Sequence, residues 1–393
     1  MNELNKYKEL ISTLDTTIEK NVETVWKLNL YMASHPELGE QEFEASRKMN
    51  DLLAQAHFET EYPYSDIPAA FCGKKGKGTP HVALLAEYDA LPEIGHGCGH
   101  CLHGSMTLLA GLALSPLMSS LSTGTLFVIG TPAEETNGAK VTLSEKGIFD
   151  SMDLAMMIHC NDNVSYVPYR SLAMDAIEFT FTGQTAHAAG APWEGRNALN
   201  GVQLFFHSID MLRQHVKPGV RMHGIVSKGG EAPNIVPDLA SAKFYFRAPD
   251  RKYLDIVLQK VFKCAQGVAL ATETEVEWKN VEFSFHEMRP NKAAEDMMEG
   301  VFAECGISTT PAPGAGGSSD MGNVSQHCPA LQPLLSITDM QIPHHTREFA
   351  QAVTTPRAKE MLKIGAQILG RAALRCFTDP LFCEAIKKEF LSY

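Results

Sequence analysis

The 393-residue chain has no run approaching ~20 uncharged apolar residues, the length a membrane-spanning helix requires. Its opening segment, MNELNKYKELISTLDTTIEK, is charged and amphipathic and lacks the apolar centre of a signal peptide. The expectation is a protein of the cytoplasm with no membrane partner. Basic residues are in the minority, 34 Lys and Arg against 46 Asp and Glu, for a net charge of −12. No Lys/Arg run or aromatic-basic stripe is present to neutralise phosphates, which argues against nucleic acid as a partner. The nine cysteines are odd in number and scattered, unlike a disulfide framework, and fit a reducing compartment. There is no G-x-S-x-G elbow, so the serine-hydrolase signature is missing too. Repeats and low-complexity segments are likewise absent.

What is present is 44% hydrophobic residues, enough for a large core in a chain longer than single cores usually grow, so two domains are expected. Residues 3–30 and 41–57 carry helical spacing of apolar positions, separated by the breaker-rich HPELGEQ with Pro36 and Gly39. Short apolar runs follow, HVALLAEYDALP, GTLFVIGTPAEE and DLAMMIHC, with helical sequence between the first two. Each is too short for a helix, and their alternation with helical sequence argues for an α/β sheet covered on both faces. From about Ala173 the pattern reads strand (DAIEFTFTG), helix (Trp193 to His215), two strands (VRMHGIVSKGG, DLASAKFYFRAPD), helix (Arg251 to Leu270) and strand (TEVEWKNVEFSFHE). That β-α-β-β-α-β order is ferredoxin-like. Helices and an apolar strand, PLLSI, resume after Asn291. The predicted architecture is therefore α/β: a discontinuous domain, 1–172 and 288–393, with a mixed, mostly parallel sheet covered by helices, receiving a ferredoxin-like α+β domain at 173–287.

Polar residues follow the apolar strands in a telling way. Glu87 and Asp89, Glu134 and Glu135, and His159 each come directly after one, and between them lies GHGCGHCLHG at 95–104. Ligands bind outside the carboxyl ends of strands in open α/β sheets. Thiolate, imidazole and carboxylate are the groups that hold zinc and similar ions. Two adjacent carboxylates after a buried strand are costly unless paired, and a dication can hold one while the other stays a base. Taken alone, Glu134 and Glu135 read as an ordinary acidic pair in a solvated loop. CGHC is also a thiol–disulfide exchange motif, His96 and His103 read as satisfied structural histidines, and GKKGKGT at 73–79 reads as a turn rather than a phosphate loop.

Through GHGCGHCLHG, TPAEE and MMIHC, the chain resembles the metallopeptidase family of aminoacylases, carboxypeptidase G and auxin-conjugate amidohydrolases. HPELGEQEFEAS, EYDALP, GQTAHAAGAPWEGRNAL, APNIVPDLA and GSSDMGNVS follow in family order. The branch it resembles is that of aminobenzoyl-glutamate hydrolase and dipeptidase-like amidohydrolases, where Cys-Gly-His replaces His-x-Asp. The resemblance implies metal ligands at Cys98, His100, Glu135, His159 and His345, with His344 as the fallback for the last. It implies Glu134 as general base, Asp89 in a supporting role, and Cys101 at a position where relatives carry Asp or Asn. It further implies a lid that makes homodimers, with His187, Asn234 and Arg247 contacting substrate, and Gly316, Gly317 and Ser318 near a substrate carboxylate.

The implied chemistry is hydrolysis of the amide of a dipeptide or N-acyl amino acid with two divalent ions per subunit, zinc or manganese first, cobalt or nickel as alternatives. Glu134 would move the proton, His187 of a partner's lid would stabilise the oxyanion, and Arg247 would clasp a carboxylate. Two other readings compete: a non-catalytic zinc-stabilised binding protein on the same fold, and a CGHC oxidoreductase. The adjacent Glu134 and Glu135 weigh against the first, because a structural site has no use for a free base.

Overall fold

The structure, a computed structural model, describes residues 3–393. By contact density the described residues divide into two units, one of residues 3–170, 288–314 and 320–393, the other of 171–287 and 315–319. The short 315–319 segment thus groups with the second unit, although it lies beyond the 288 boundary drawn from the sequence.

Two helices open the first unit, α1 (Glu3–Ser34) and α2 (Phe43–Gln55), followed by strands β1 (Glu59–Glu61), β2 (Phe71–Lys77) and β3 (His81–Ala86). Next come α3 (His100–Met118), β4 (Gly124–Gly130), α4 (Ala139–Glu145), β5 (Leu154–Met156) and β6 (His159–Asn161). The second unit is β7 (Ala173–Thr182), α5 (Ala198–Leu212), β8 (Arg221–Lys228), β9 (Leu239–Ala248), α6 (Arg251–Thr272) and β10 (Glu275–Asn280). The chain then returns through α7 (Lys292–Glu304), α8 (Met321–His327), β11 (Ala330–Leu331), β12 (Leu334–Ser336), α9 (Arg347–Ala352), α10 (Pro356–Thr378) and α11 (Pro380–Leu391).

The first unit's main sheet runs β1-β2-β4-β3-β5-β11. Its β4–β3, β3–β5 and β5–β11 pairs are parallel and its β1–β2 and β2–β4 pairs antiparallel. The uninterrupted apolar runs have a physical reason here. Val82, Leu84 and Ala86 join one core with α1, α3 and α10, while Ala83 and Leu85 join a second core on the opposite face. A strand buried on both faces has no use for a polar alternation. Helix α3 is long and apolar enough to cross a membrane by composition, and 94% of that window is buried inside the unit; it is the core helix under the sheet.

Within the first unit and at the start of α5, sequence expectations change in detail. DLAMMIHC is two short strands, because β5 pairs in the main sheet whereas β6 leaves it to pair β12. GKKGKGT is mostly strand β2, antiparallel to β4, and its turn begins only near Gly78. The helix expected from Trp193 starts at Ala198, capped by Asn197, whose side chain accepts from the Leu199 and Asn200 amides.

The second unit's sheet runs β10-β7-β9-β8, all antiparallel, the ferredoxin-like order. Alternate residues Ile177, Phe179 and Phe181 of β7 and Phe244 and Phe246 of β9 pack with Phe205 of α5 and Val257 and Val261 of α6. Phe179 and Phe205 lie with ring centroids 4.5 Å apart. β10 ends at Asn280, short of the strand expected to run to Glu287, and Phe285 rejoins the sheet through a single bridge to Met174.

Candidate metal centre

The carboxyl ends of the first unit's strands deliver the chemistry. β3 leads into Glu87 and Asp89, β4 into the 131–135 loop, and β5 into His159, where β6 begins. Helix α3 begins at His100, behind Gly99, which has φ 90°. A Cβ there would lie 2.9 Å from that of Cys160, so the left-handed, close-packed turn into α3 requires glycine.

Cys98, His100 and His159 present ligand atoms within 4.8 Å of one another, and so do Cys98, Glu135 and His345. Cys98 belongs to both triads. Its Sγ lies 3.5 Å from His159 Nε2, while His159 Nδ1 donates to the Cys160 carbonyl at 2.7 Å, which leaves the Nε2 lone pair facing the cluster. His100 donates from Nδ1 to Asp89 Oδ1 at 2.8 Å, and Asp89 Oδ2 accepts from the Glu135 amide at 2.9 Å. Asp89 thus orients two members of the cluster at once. His345 Nε2 approaches Glu135 Oε1 at 3.2 Å. His344 stacks on His159 with ring centroids 5.7 Å apart, but its Nε2 lies 3.2 Å from Asn161 Oδ1 and its ring also packs against Phe349.

The residues fit a divalent cation. His100 Nε2 is fully buried with no hydrogen-bond partner, a costly state for a polar atom unless an ion takes it up. Burial holds His159 well below the usual imidazole range, with His103 next to it adding to the effect; a neutral imidazole is the form that ligates.

Behind this face lies a buried ionic network. Lys140 Nζ sits 2.7 Å from both Glu87 Oε1 and Asp320 Oδ1, and Glu87, Glu134 and Asp320 have carboxylate oxygens within 4.8 Å. Burial opposes ionisation of Glu87, but Lys140, His100 and His103 hold it well below the usual range. Burial, with Glu87 and Glu135 close by, pushes Glu134 well above it. Sequence reasoning did not single out Lys140 or Asp320. Lys140 offered a weak signal, a lone charge beside the apolar residues of NGAKVTL, whereas Asp320, among the small and polar residues of GSSDMGN, offered none. Glu42, also fully buried, was missed as well: its Oε1 accepts from the Ala133 amide at 2.6 Å. Ala133 has φ 65°, a strained left-handed geometry for a residue with a side chain. That strain sits directly before Glu134.

His103 is a satisfied structural histidine. Its Nδ1 lies 3.1 Å from Glu87 and its Nε2 accepts from the Cys160 amide at 2.7 Å. His96 accepts from the Cys101 amide at 3.2 Å. Cys101 is buried in the apolar core with α3, its thiol pushed up to about 12 by burial. Cys98 is raised by burial too, and both thiols are free. An exchange motif needs an accessible thiol of lowered pKa, which this pair is not.

The remaining predicted residues lie in the second unit. His187 is exposed, and its Nδ1 accepts from the Ala189 and Gly190 amides at 3.2 and 3.0 Å, which fixes the ring proton on Nε2 as an outward donor. The Asn234 carbonyl accepts from the Ala188 amide, so the two residues occupy paired loops. Arg247, on β9, donates to Ser318 Oγ at 2.8 Å, and the Gly317 carbonyl accepts from the Leu172 amide. Gly316 lies in the same 315–319 segment.

Known proteins resemble this chain in sequence and in fold. Mouse Xaa-Arg dipeptidase is 32% identical over 95% of this chain and 90% of its own. A p-aminobenzoyl-glutamate hydrolase polypeptide from Escherichia coli K12 is 31% identical over 74% of this chain and 64% of its own. The crystal structure of an aminobenzoyl-glutamate utilization protein from Klebsiella pneumoniae shares the fold, with a TM-score of 0.73 at 19% identity over 92% of this chain and 98% of that one. Residues 83–375 match peptidase family M20/M25/M40, and the chain belongs to that family, as a hydrolase of the peptidase and amidohydrolase class.

Proposed function

We propose that the protein is a metal-dependent dipeptidase or N-acyl amino acid amidohydrolase of the cytoplasm, with two divalent ions per subunit. One would be held by Cys98, His100 and His159, the other by Cys98, Glu135 and His345, with zinc or manganese the best match to this donor set and cobalt or nickel acceptable. The observation that carries this reading is the sharing of Cys98 between two triads of ligand atoms, beside the unpartnered His100 Nε2. Bound divalent ions supply Lewis acidity and lower the pKa of a coordinated water toward ~7.

Glu134 takes a proton from the attacking water and returns it to the leaving amine, so no net proton is consumed by the enzyme. Asp89 keeps His100 in the tautomer that presents Nε2. The second unit acts as lid and dimerisation domain. His187 Nε2–H, fixed as a donor by the two amides behind it, stabilises the developing oxyanion from the partner subunit, and Arg247 with Ser318 receives the substrate's terminal carboxylate. Asn234, on the loop paired with that of His187, and the small residues Gly316 and Gly317 complete the substrate contacts.

A substrate panel tests this directly: Xaa-Arg and other dipeptides, N-acyl amino acids and p-aminobenzoyl-glutamate, each assayed before and after chelation and after return of Zn or Mn. Hydrolysis that disappears with chelator and returns with metal is expected, fastest on a dipeptide, the substrate class named for relatives that match nearly the whole chain. Undiminished turnover in metal-free protein would overturn the proposal.

A further inference from the structure

Away from the metal centre, α10 ends and α11 begins around a pair of thiols. Cys376, in the last turn of α10, is buried, and Cys383, in the first turn of α11, is half-exposed. Their Sγ atoms lie 2.9 Å apart, and Cys383 Sγ also donates to the Cys376 carbonyl at 3.1 Å. The turn between them is held by Asp379, whose side chain accepts from the Phe382 amide, and by Pro380 in the first turn of α11.

We propose that Cys376 and Cys383 are a reversible redox pair, whose disulfide staples the C-terminal helix to α10 when a low-molecular-weight disulfide is in excess over its thiol. The roles are unequal. Cys383 is the accessible member and stands near the positive end of α11, so its thiolate attacks one sulfur of the small disulfide and releases one small thiol. Cys376, already in contact, then attacks Cys383 Sγ and expels the second small thiol. Two protein thiols lose two electrons and two protons, and one small disulfide becomes two thiols. The hydrogen bond from the Cys376 thiol lowers Cys383, against the opposing effects of burial and of Asp153 and Asp379.

The staple would act on a helix held mostly by polar contacts. Ile386 is the one buried residue of α11, so the helix should open locally at small cost. Yet it completes the start of α7. Glu389 accepts from the Lys292 and Ala293 amides at 2.7 and 2.9 Å, the Ile386 carbonyl accepts from Asn291 Nδ2 at 2.8 Å, and the Phe390 carbonyl accepts from Arg289 at 2.6 Å. Locking α11 therefore also locks the first turn of α7.

The metal-loaded full chain, equilibrated in a series of oxidised to reduced glutathione ratios, alkylated and digested with trypsin, gives the test. Both cysteines fall in one peptide, CFTDPLFCEAIK, which should become lighter by two hydrogens and refuse alkylation. It should do so at a ratio ~10-fold lower than that at which Cys264 or Cys305, half-exposed lone thiols, acquire glutathione. Cys376→Ser should instead trap a glutathione adduct on Cys383. Amide exchange across 380–391 should slow in the oxidised protein. Oxidation of this peptide no earlier than those two controls, a stable glutathione adduct on wild-type Cys383, no adduct on Cys383 in Cys376→Ser, or unchanged exchange across α11 would each overturn the proposal.

Discussion

In the first unit Glu42, Glu87, Asp89, His100, His103, Lys140 and Asp320 are all buried, and each is fixed by partners from other elements. In the second unit His187 and Asn234 are exposed, on loops above a core of phenylalanines. The contrast separates two kinds of precision. Buried, mutually bonded charges fix an arrangement to within a fraction of an ångström, at the cost of desolvation. Exposed donors on loops cost little, and suit groups that must meet a substrate only when it arrives. Perturbing one class should change the other little.

The largest effect is expected at Glu134. Glu134→Gln keeps the size of the side chain and removes the base, so kcat should fall on the order of 10⁴-fold, while metal content, measured by elemental analysis, stays at the wild-type level. Glu135→Gln should lose metal as well as activity. Full turnover in metal-loaded Glu134→Gln protein would move the base elsewhere.

Lys140 tests the buried side of the comparison through stability. Lys140→Met leaves Glu87 and Asp320 facing each other without their cation, a loss of about 3–5 kcal/mol for a broken buried pair. Urea unfolding of the metal-free protein reads this without the ions. A loss below about 1 kcal/mol would mean that the network contributes no more than an exposed ion pair and does not fix the site.

His187 tests the exposed side. His187→Ala should leave unfolding unchanged and cost roughly 10² to 10³ in kcat/KM, the scale of a lost oxyanion donor. Mixing it with Glu134→Gln under subunit exchange should restore roughly a quarter of wild-type activity, since half the dimers are mixed and each holds one complete site. Verified exchange with no recovery would place His187 in its own subunit's site or outside the chemistry.

The two units also differed in how much the sequence disclosed. The β-α-β-β-α-β order of the second unit was legible because one face of its sheet is solvated and the strands alternate. The strands of the first unit were legible as apolar runs, but β2, which lies between β1 and β4, was not, because Lys74, Gly76 and Lys77 follow no core pattern on a strand whose far end is exposed. Cys98, His100, His159 and the paired glutamates stood out because metal-ligand residue types after apolar strands are rare. Lys140, Asp320 and Glu42 did not, because a single charge carries no period, and its burial depends on partners that in two of the networks lie 91 and 180 residues away. Between His344 and His345 the resemblance implied the second with the first as fallback, and the structure, with φ 61° at His345, brings His345 Nε2 to Glu135.

Glu42 offers the finest discrimination, because it joins the buried network to the strained loop. Burial, with Asp89 near, pushes its carboxyl from an ordinary 4.5 up to about 8. A folded-state pKa above the unfolded one means the native protein binds the extra proton, so this contribution to stability is complete below about pH 4.5 and is lost as pH rises through about 8. Glu42→Gln keeps an oxygen to accept from the Ala133 amide but does not titrate. Its amide nitrogen takes the place of an oxygen that already lacks a partner, which costs about 1–3 kcal/mol at every pH and so leaves the slope untouched. The stability of the variant relative to wild type should therefore rise between about pH 5 and pH 8, by at most ~1.4 kcal/mol per unit, in urea unfolding of metal-free protein. Parallel pH profiles would show that Glu42 is ionised throughout, and that the loop bearing Glu134 is held by a carboxylate rather than by a carboxylic acid.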